Sequence, residues 1–202
     1  MTVTQWMAFF RRHAAKKLFS LSDLRQLTAT GDRALQVELS RLTGRGLVTR
    51  LSKGWYANPF NPPSAEEVAM VLRFPSYLSM EYALFKHGVL SQTVFTLTAV
   101  TTGYPGSFTV QNTVVEYHRI SKNLFWGYET CDGVNLACPE KALLDLVYIR
   151  RSKGRFSWED VFSLLDDMYI EDLDREKLTA YMQRFGRFSP RLEQVLEEAG
   201  AL

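Results

Sequence analysis

Apolar side chains recur every three or four positions through the first 45 residues of the chain, which is the period of amphipathic helices. Trp6 and Phe10 share one face of the first predicted helix. A second helix is expected to end near Leu27. After a glycine-containing turn, a third helix is predicted over residues 33–45, with Asp32 as its N-cap. The leucines of this third helix form a stripe that we expect to be buried.

Two short strands are predicted directly after the third helix, at residues 47–51 and 55–57. A helix-turn-helix followed by such a hairpin is typical of a winged helix domain, which places the second helix of the motif in the DNA major groove. The alternative is a hairpin that only closes the domain. The candidate DNA contacts lie on the polar face of the third helix and on the hairpin: Arg33, Gln36, Val37, Ser40, Arg41, Arg45, Arg50 and Lys53.

Three prolines in a short segment predict a semi-rigid linker, because proline fixes φ and removes a backbone donor. The sequence therefore predicts an α+β protein with a winged helix-turn-helix domain at 1–58, a linker at 59–63 and an α+β domain at 64–202. In the second domain we expect an antiparallel sheet and a helical C-terminal tail. The predicted strands are 94–101, 107–111, 113–120, 125–129 and 134–137.

Charge is distributed unevenly along the chain. Residues 1–62 contain ten Lys and Arg against three Asp and Glu, a net charge of +7, whereas residues 63–202 contain 14 against 19, a net charge of −5. Clustered cations on a small domain indicate a protein that binds the phosphate backbone of nucleic acid. The acidic second domain would be repelled by DNA and is therefore expected to serve another partner.

No hydrolase, metalloprotease or nucleotide-binding motif is present, and we predict no enzymatic activity, no cofactor and no metal. An enzyme that uses the carboxylates of residues 166–174 is the less favoured alternative, since this segment lacks the spacing of a calcium-binding loop. Asp145 lies on an apolar helix and is a candidate buried carboxylate, which we expect to cap or pair locally, with Lys141 four residues before it as the candidate partner, rather than to act in catalysis. Cys131 and Cys138 suit reduced thiols in a cytoplasmic protein, and no apolar run is long enough to span a membrane.

Four segments of the sequence carry a family resemblance. They are the predicted winged helix with Gly44-Arg45-Gly46-Leu47 and Lys53-Gly54-Trp55-Tyr56, the segment 77–88 that begins Tyr77-Leu78-Ser79-Met80, the strand 95–101, and Pro139-Glu140-Lys141-Ala142-Leu143-Leu144-Asp145. In these segments the chain resembles the AbiEi antitoxins of type IV toxin–antitoxin (abortive infection) systems, which regulate transcription in viral defence.

The resemblance implies an autorepressor that binds inverted repeats in the double-stranded DNA of its own promoter, either as a homodimer or as two monomers that load cooperatively. It also implies that the larger domain counteracts a cognate nucleotidyltransferase toxin. Two alternatives stay open. One is a stand-alone winged-helix regulator, and the other is a protein-interaction module without antitoxin activity.

Overall fold

The computed structural model describes residues 1–200 except 111, 153 and 155, with the backbone alone at 187. It divides into two compact units, Met1–Leu72 and Arg73–Leu202. The first unit thus includes a helix that follows the proline-rich segment, whose Glu67 carboxylate lies 2.9 Å from the Lys17 ammonium. The end of the strand predicted at 107–111 lies outside the described residues.

The first unit combines four helices with a small antiparallel sheet of strand order β1-β3-β2. Leu35, Leu39 and Leu42 of α3 are buried, as the leucine spacing predicts. They join Trp6 and Phe10 of α1 in one apolar core. The elements are α1 (Val3–Arg12), β1 (Leu18–Ser20), α2 (Leu21–Thr28), α3 (Asp32–Gly44), β2 (Arg50–Ser52), β3 (Trp55–Ala57) and α4 (Ala65–Leu72).

Polar side chains at the N-terminus set where these helices begin, with one exception. Ser20 and Asp23 form a reciprocal capping box at α2, which satisfies two of the free backbone donors of the first turn. The prediction that Asp32 caps α3 is wrong. Gly31 is the N-cap and Asp32 is the first helical residue. There its negative charge interacts favourably with the positive end of the helix dipole.

The second unit contains a six-stranded sheet of order β6-β7-β5-β4-β9-β8, with one α-helix between its first two strands in sequence and the others after its last. Its helices α7 to α9 form the predicted helical C-terminal part of this α+β chain. The elements are β4 (Ser76–Leu78), α5 (Met80–Lys86), β5 (Leu97–Thr101), β6 (Gly106–Val110), β7 (Thr113–Arg119), β8 (Tyr128–Cys131), β9 (Val134–Ala137), α6 (Pro139–Ser152), α7 (Trp158–Asp166), α8 (Arg175–Met182) and α9 (Ser189–Glu198).

The prediction of a purely antiparallel sheet is wrong, because the sheet is mixed. β5 runs parallel to β7, and β4 runs parallel to β9. β4 has only three residues, too few to show a period in the sequence, yet it lies between β5 and β9 in the sheet. All five residues of β5 are buried, as expected for a central strand covered on both faces.

Candidate nucleic-acid interface

The eight residues predicted to contact DNA are all exposed in the structure. Five of them lie along α3 on the side opposite its buried leucines, because at about 100° per residue these positions fall on one face of a helix. Val37 in particular is 45% exposed, although burial of an apolar side chain stabilises a fold. These five residues are Arg33, Gln36, Val37, Ser40 and Arg41.

A groove of about 510 Å³ joins this face of α3 to the β2–β3 hairpin. The structure therefore brings together four of the eight predicted residues, two from the helix and two from the hairpin. Arg33, Val37, Arg41 and Arg45 do not line the groove and lie elsewhere on the exposed surface of α3 and its C-terminal end. The groove is lined by Leu21, Gln36, Ser40, Arg50, Lys53, Gly54 and Tyr56.

Several basic side chains of this surface are not neutralised within the protein. In the part of the chain that the structure describes, no ion pair involves Arg33, Arg41, Arg45 or Lys53. Arg50 donates from Nε to the backbone carbonyl of Ser52 at 3.2 Å, which orients its guanidinium but leaves its charge uncompensated. The surface therefore offers positive charge to an external anion.

The acidic residues among positions 1–62, by contrast, are paired. Asp23 lies 3.2 Å from the Lys16 ammonium, and Asp32 lies 3.5 Å from the Arg25 guanidinium. Glu38 accepts hydrogen bonds from the amino group of Met1 and from the indole of Trp6. The bond from the amino group is the main cause of the lowered pKa of Glu38. The one carboxylate on the middle of α3 is thus engaged by hydrogen bonds from α1 and from the amino terminus, while the charge of Arg41 also lowers its pKa.

A buried asparagine connects the end of α1 to the chain that follows the hairpin. The amide nitrogen of Asn58 donates to the carbonyls of Phe10, His13 and Lys16 at 3.2, 3.0 and 2.9 Å. Its carbonyl oxygen accepts from the Phe60 N–H at 3.0 Å. These bonds join the end of α1 to the chain that leaves β3. In the sequence, Asn58 is only the last residue of the predicted first domain. The carbonyls that it bonds lie more than 40 residues away, so no local pattern predicts these hydrogen bonds.

The second unit contains a buried polar network. Lys141 and Asp145 form the ion pair that the sequence predicts, with both side chains fully buried. The Tyr77 hydroxyl donates to Asp145 Oδ2 at 2.8 Å and accepts from Lys141 Nζ at 2.9 Å. Ser79 donates to the same carboxylate oxygen at 2.9 Å, so its side chain does not cap α5.

Burial dominates the acid–base behaviour of this network. It raises the pKa of Asp145 and of Tyr77 and lowers that of Lys141, because a charge is costly away from water. The Lys141 ammonium opposes the rise at Asp145. All four side chains are fully buried, so the ion pair and its hydrogen bonds lie inside the second unit.

Among the described residues no group of three or more His, Cys, Asp or Glu side chains is placed to hold a metal ion. Cys131 and Cys138 are free thiols. No described helix has the length and apolar character needed to cross a membrane. No family model matches the chain, and a search of curated proteins finds no significant match.

Proposed function

We propose that the first unit is a winged helix domain that binds double-stranded DNA. In this proposal α3 enters the major groove and the β2–β3 hairpin is the wing that lies against the backbone. The observation that carries it is the groove between α3 and the hairpin, lined by Arg50 and Lys53, neither of which forms an ion pair among the described residues. Since most protein–DNA contacts are to phosphates, we assign Arg45, Arg50 and Lys53 to the backbone.

The exposed face of α3 offers side chains suited to base edges. Gln36 can make paired hydrogen bonds to adenine, and an arginine such as Arg33 or Arg41 can do so to guanine. Val37 offers an apolar contact for a thymine methyl group, which accounts for its exposure. Ser40, which lines the groove with Gln36, suits either a base or a phosphate.

We further propose that the protein is a cytoplasmic autorepressor and antitoxin, in which the second unit counteracts a nucleotidyltransferase toxin. Support comes from two of the segments that resemble the AbiEi family, which meet in the buried network. Tyr77 and Ser79 come from one segment, and Lys141 and Asp145 from the other.

An electrophoretic shift assay with the DNA upstream of the operon tests the DNA-binding proposal. We expect a complex that resists excess unrelated duplex, and whose stoichiometry shows whether a homodimer or two monomers occupy the inverted repeats. The Gln36→Ala variant should lose discrimination at one base pair, whereas Lys53→Ala should weaken binding to all sequences equally. A partner protein captured through residues 1–60 in nuclease-treated extract, with no DNA shift, would favour an interaction module.

The antitoxin proposal predicts a nucleotidyltransferase gene beside this one and is tested by co-expression with its product. Growth should be restored by the full chain and also by the Arg33→Ala/Arg41→Ala variant, because antitoxin action is assigned to the second unit. Growth arrest that persists despite normal levels of folded protein would contradict the antitoxin role and leave the DNA-binding role standing.

A further inference from the structure

Three segments of the second unit meet at one end of its sheet, around Thr101. The hydroxyl of Thr101, the last residue of β5, donates to the Pro75 carbonyl at 2.7 Å. The same oxygen accepts from the Gly103 N–H at 3.1 Å. Arg119, the last residue of β7, is the register partner of Thr101 in the parallel pair. The three segments are 73–76, 101–108 and 117–124.

Two aromatic side chains project from this end of the sheet. Phe74 precedes Pro75 and is 87% exposed, and Tyr104 follows Gly103 and is 79% exposed. Burying an aromatic side chain contributes more to folding than burying most others, so two rings left in water at one place suggest a surface used for binding.

The same end of the sheet is basic, although the second unit as a whole is acidic. The three segments contain Arg73, Arg119 and Lys122 against one neighbouring carboxylate, Glu116, which directly precedes the third segment and lies 3.7 Å from His118. Arg119 and Lys122 are exposed, and within the described residues neither takes part in an ion pair. The guanidinium of Arg73 lies over the ring of Phe108, 5.0 Å from its centroid, and its Nε has no hydrogen-bond partner among the described residues. We call Arg73, Phe74, Tyr104, Arg119 and Lys122 the basic–aromatic edge.

We propose that the basic–aromatic edge binds single-stranded nucleic acid. Unpaired bases would stack on Phe74 and Tyr104, while Arg119 and Lys122 meet the phosphates on either side. Exposed rings flanked by cations are the combination used by proteins that bind single strands, because every base has a face that can stack and every linkage carries a negative charge. A duplex hides its base faces, so this site would discriminate against double-stranded DNA.

The test is a fluorescence anisotropy titration of the full chain with labelled pyrimidine oligonucleotides, RNA and DNA, of about 12 nucleotides at low salt. The Phe74→Ala/Tyr104→Ala variant should lose about tenfold or more in affinity, because two stacking contacts are removed. Phe95→Ala is the matched control, since that ring is 83% exposed but lies before the start of β5, at its opposite end. This control should bind as the unchanged protein does.

Two further variants separate this site from the surface on α3. Arg119→Gln/Lys122→Gln should reduce the slope of log affinity against log salt by about 1.4, as expected for two lost phosphate contacts on a single strand. Arg33→Ala/Arg41→Ala should change single-strand binding by less than about twofold. The proposal is overturned if the unchanged protein binds no single strand at low salt, if Phe95→Ala weakens binding as much as the double variant, or if the α3 variant alone abolishes it. Capture of an acidic protein through the edge without single-strand binding would likewise overturn it.

Discussion

The indole nitrogen of Trp6 donates a hydrogen bond of 2.7 Å to the carboxylate of Glu38, 32 residues further along the chain. This bond connects α1 to α3 and engages the only acidic side chain on the middle of α3. Trp6 also stacks on Phe10 in the apolar core, with ring centroids 5.7 Å apart. The proposed recognition helix is therefore oriented by the core behind it.

Replacement of Trp6 by Phe tests this connection. The variant keeps an aromatic ring in the core but removes the donor to Glu38, and we expect the free energy of unfolding to fall by about 1–2 kcal/mol. Urea unfolding measures the change. Glu38→Ala and the double variant complete a mutant cycle, and strictly additive losses would show that the hydrogen bond between the two side chains contributes nothing.

A second prediction concerns Gly127, which approaches the side chain of Lys141. A Cβ atom at this position would lie 2.9 Å from Lys141 Cγ, and the backbone has a positive φ of +77°. Gly127→Ala should lower the free energy of unfolding by about 2–3 kcal/mol, through backbone strain and displacement of the buried lysine. Gly133→Ala is the matched control, because its φ of +79° is similar but no atom lies within 4 Å of the added Cβ. The unfolding free energies of the two variants should differ only by the cost of the steric clash with Lys141. Identical losses of unfolding free energy would contradict this prediction.

The buried ion pair makes a third prediction. Lys141→Met removes the cation and leaves Asp145 buried among its remaining hydrogen-bond donors, Tyr77 and Ser79. We expect a loss of about 3–5 kcal/mol in unfolding free energy. Lys141→Met/Asp145→Leu should be less damaging than Lys141→Met alone, because no unpaired charge remains. Chemical denaturation of the single and double variants measures the coupling, and strictly additive losses would show that the two charges do not depend on each other.

A fourth prediction concerns pH. Burial alone would raise the pKa of Asp23 and of Glu67, but hydrogen bonds from backbone N–H groups and from Lys16 and Lys17 lower both. A carboxyl whose pKa is lowered by folding stabilises the protein above its ordinary pKa, and this contribution is lost as the pH falls through the folded-state value. The first unit should therefore be about equally stable at pH 7 and pH 5.5 and lose stability between about pH 5 and pH 3.

Hydrogen exchange of the amides in residues 1–72 measures this pH dependence. Glu67→Gln removes one of the two carboxyls and should make the loss in acid smaller. A first unit whose protection stays constant down to about pH 3 would contradict the assignment of these ion pairs as stabilising.

The sequence allows the exposed face of α3 to be predicted, because three leucines at helical spacing define its buried side and hence its opposite side. It also allows the Lys141–Asp145 pair to be predicted, since the two residues lie four apart on one helix. Local patterns could not reveal the bond between Trp6 and Glu38 or the contacts of Asn58, whose partners are distant in sequence. The mixed sheet could not be predicted either. Alternation of apolar residues shows that a strand exists but not which strand lies beside it.

The most direct test of the central proposal is the affinity for the upstream promoter duplex, measured by anisotropy at several salt concentrations with Arg33→Ala/Arg41→Ala as the variant. Arg12→Ala is the control, an exposed cation on α1 that is not among the predicted DNA contacts. We predict tight binding at low salt, a linear fall of log affinity with log salt, and a loss of about 1–3 kcal/mol in binding free energy for each α3 arginine removed. No binding by the unchanged protein at low salt, or equal affinity of the α3 variant and the control, would contradict the proposal.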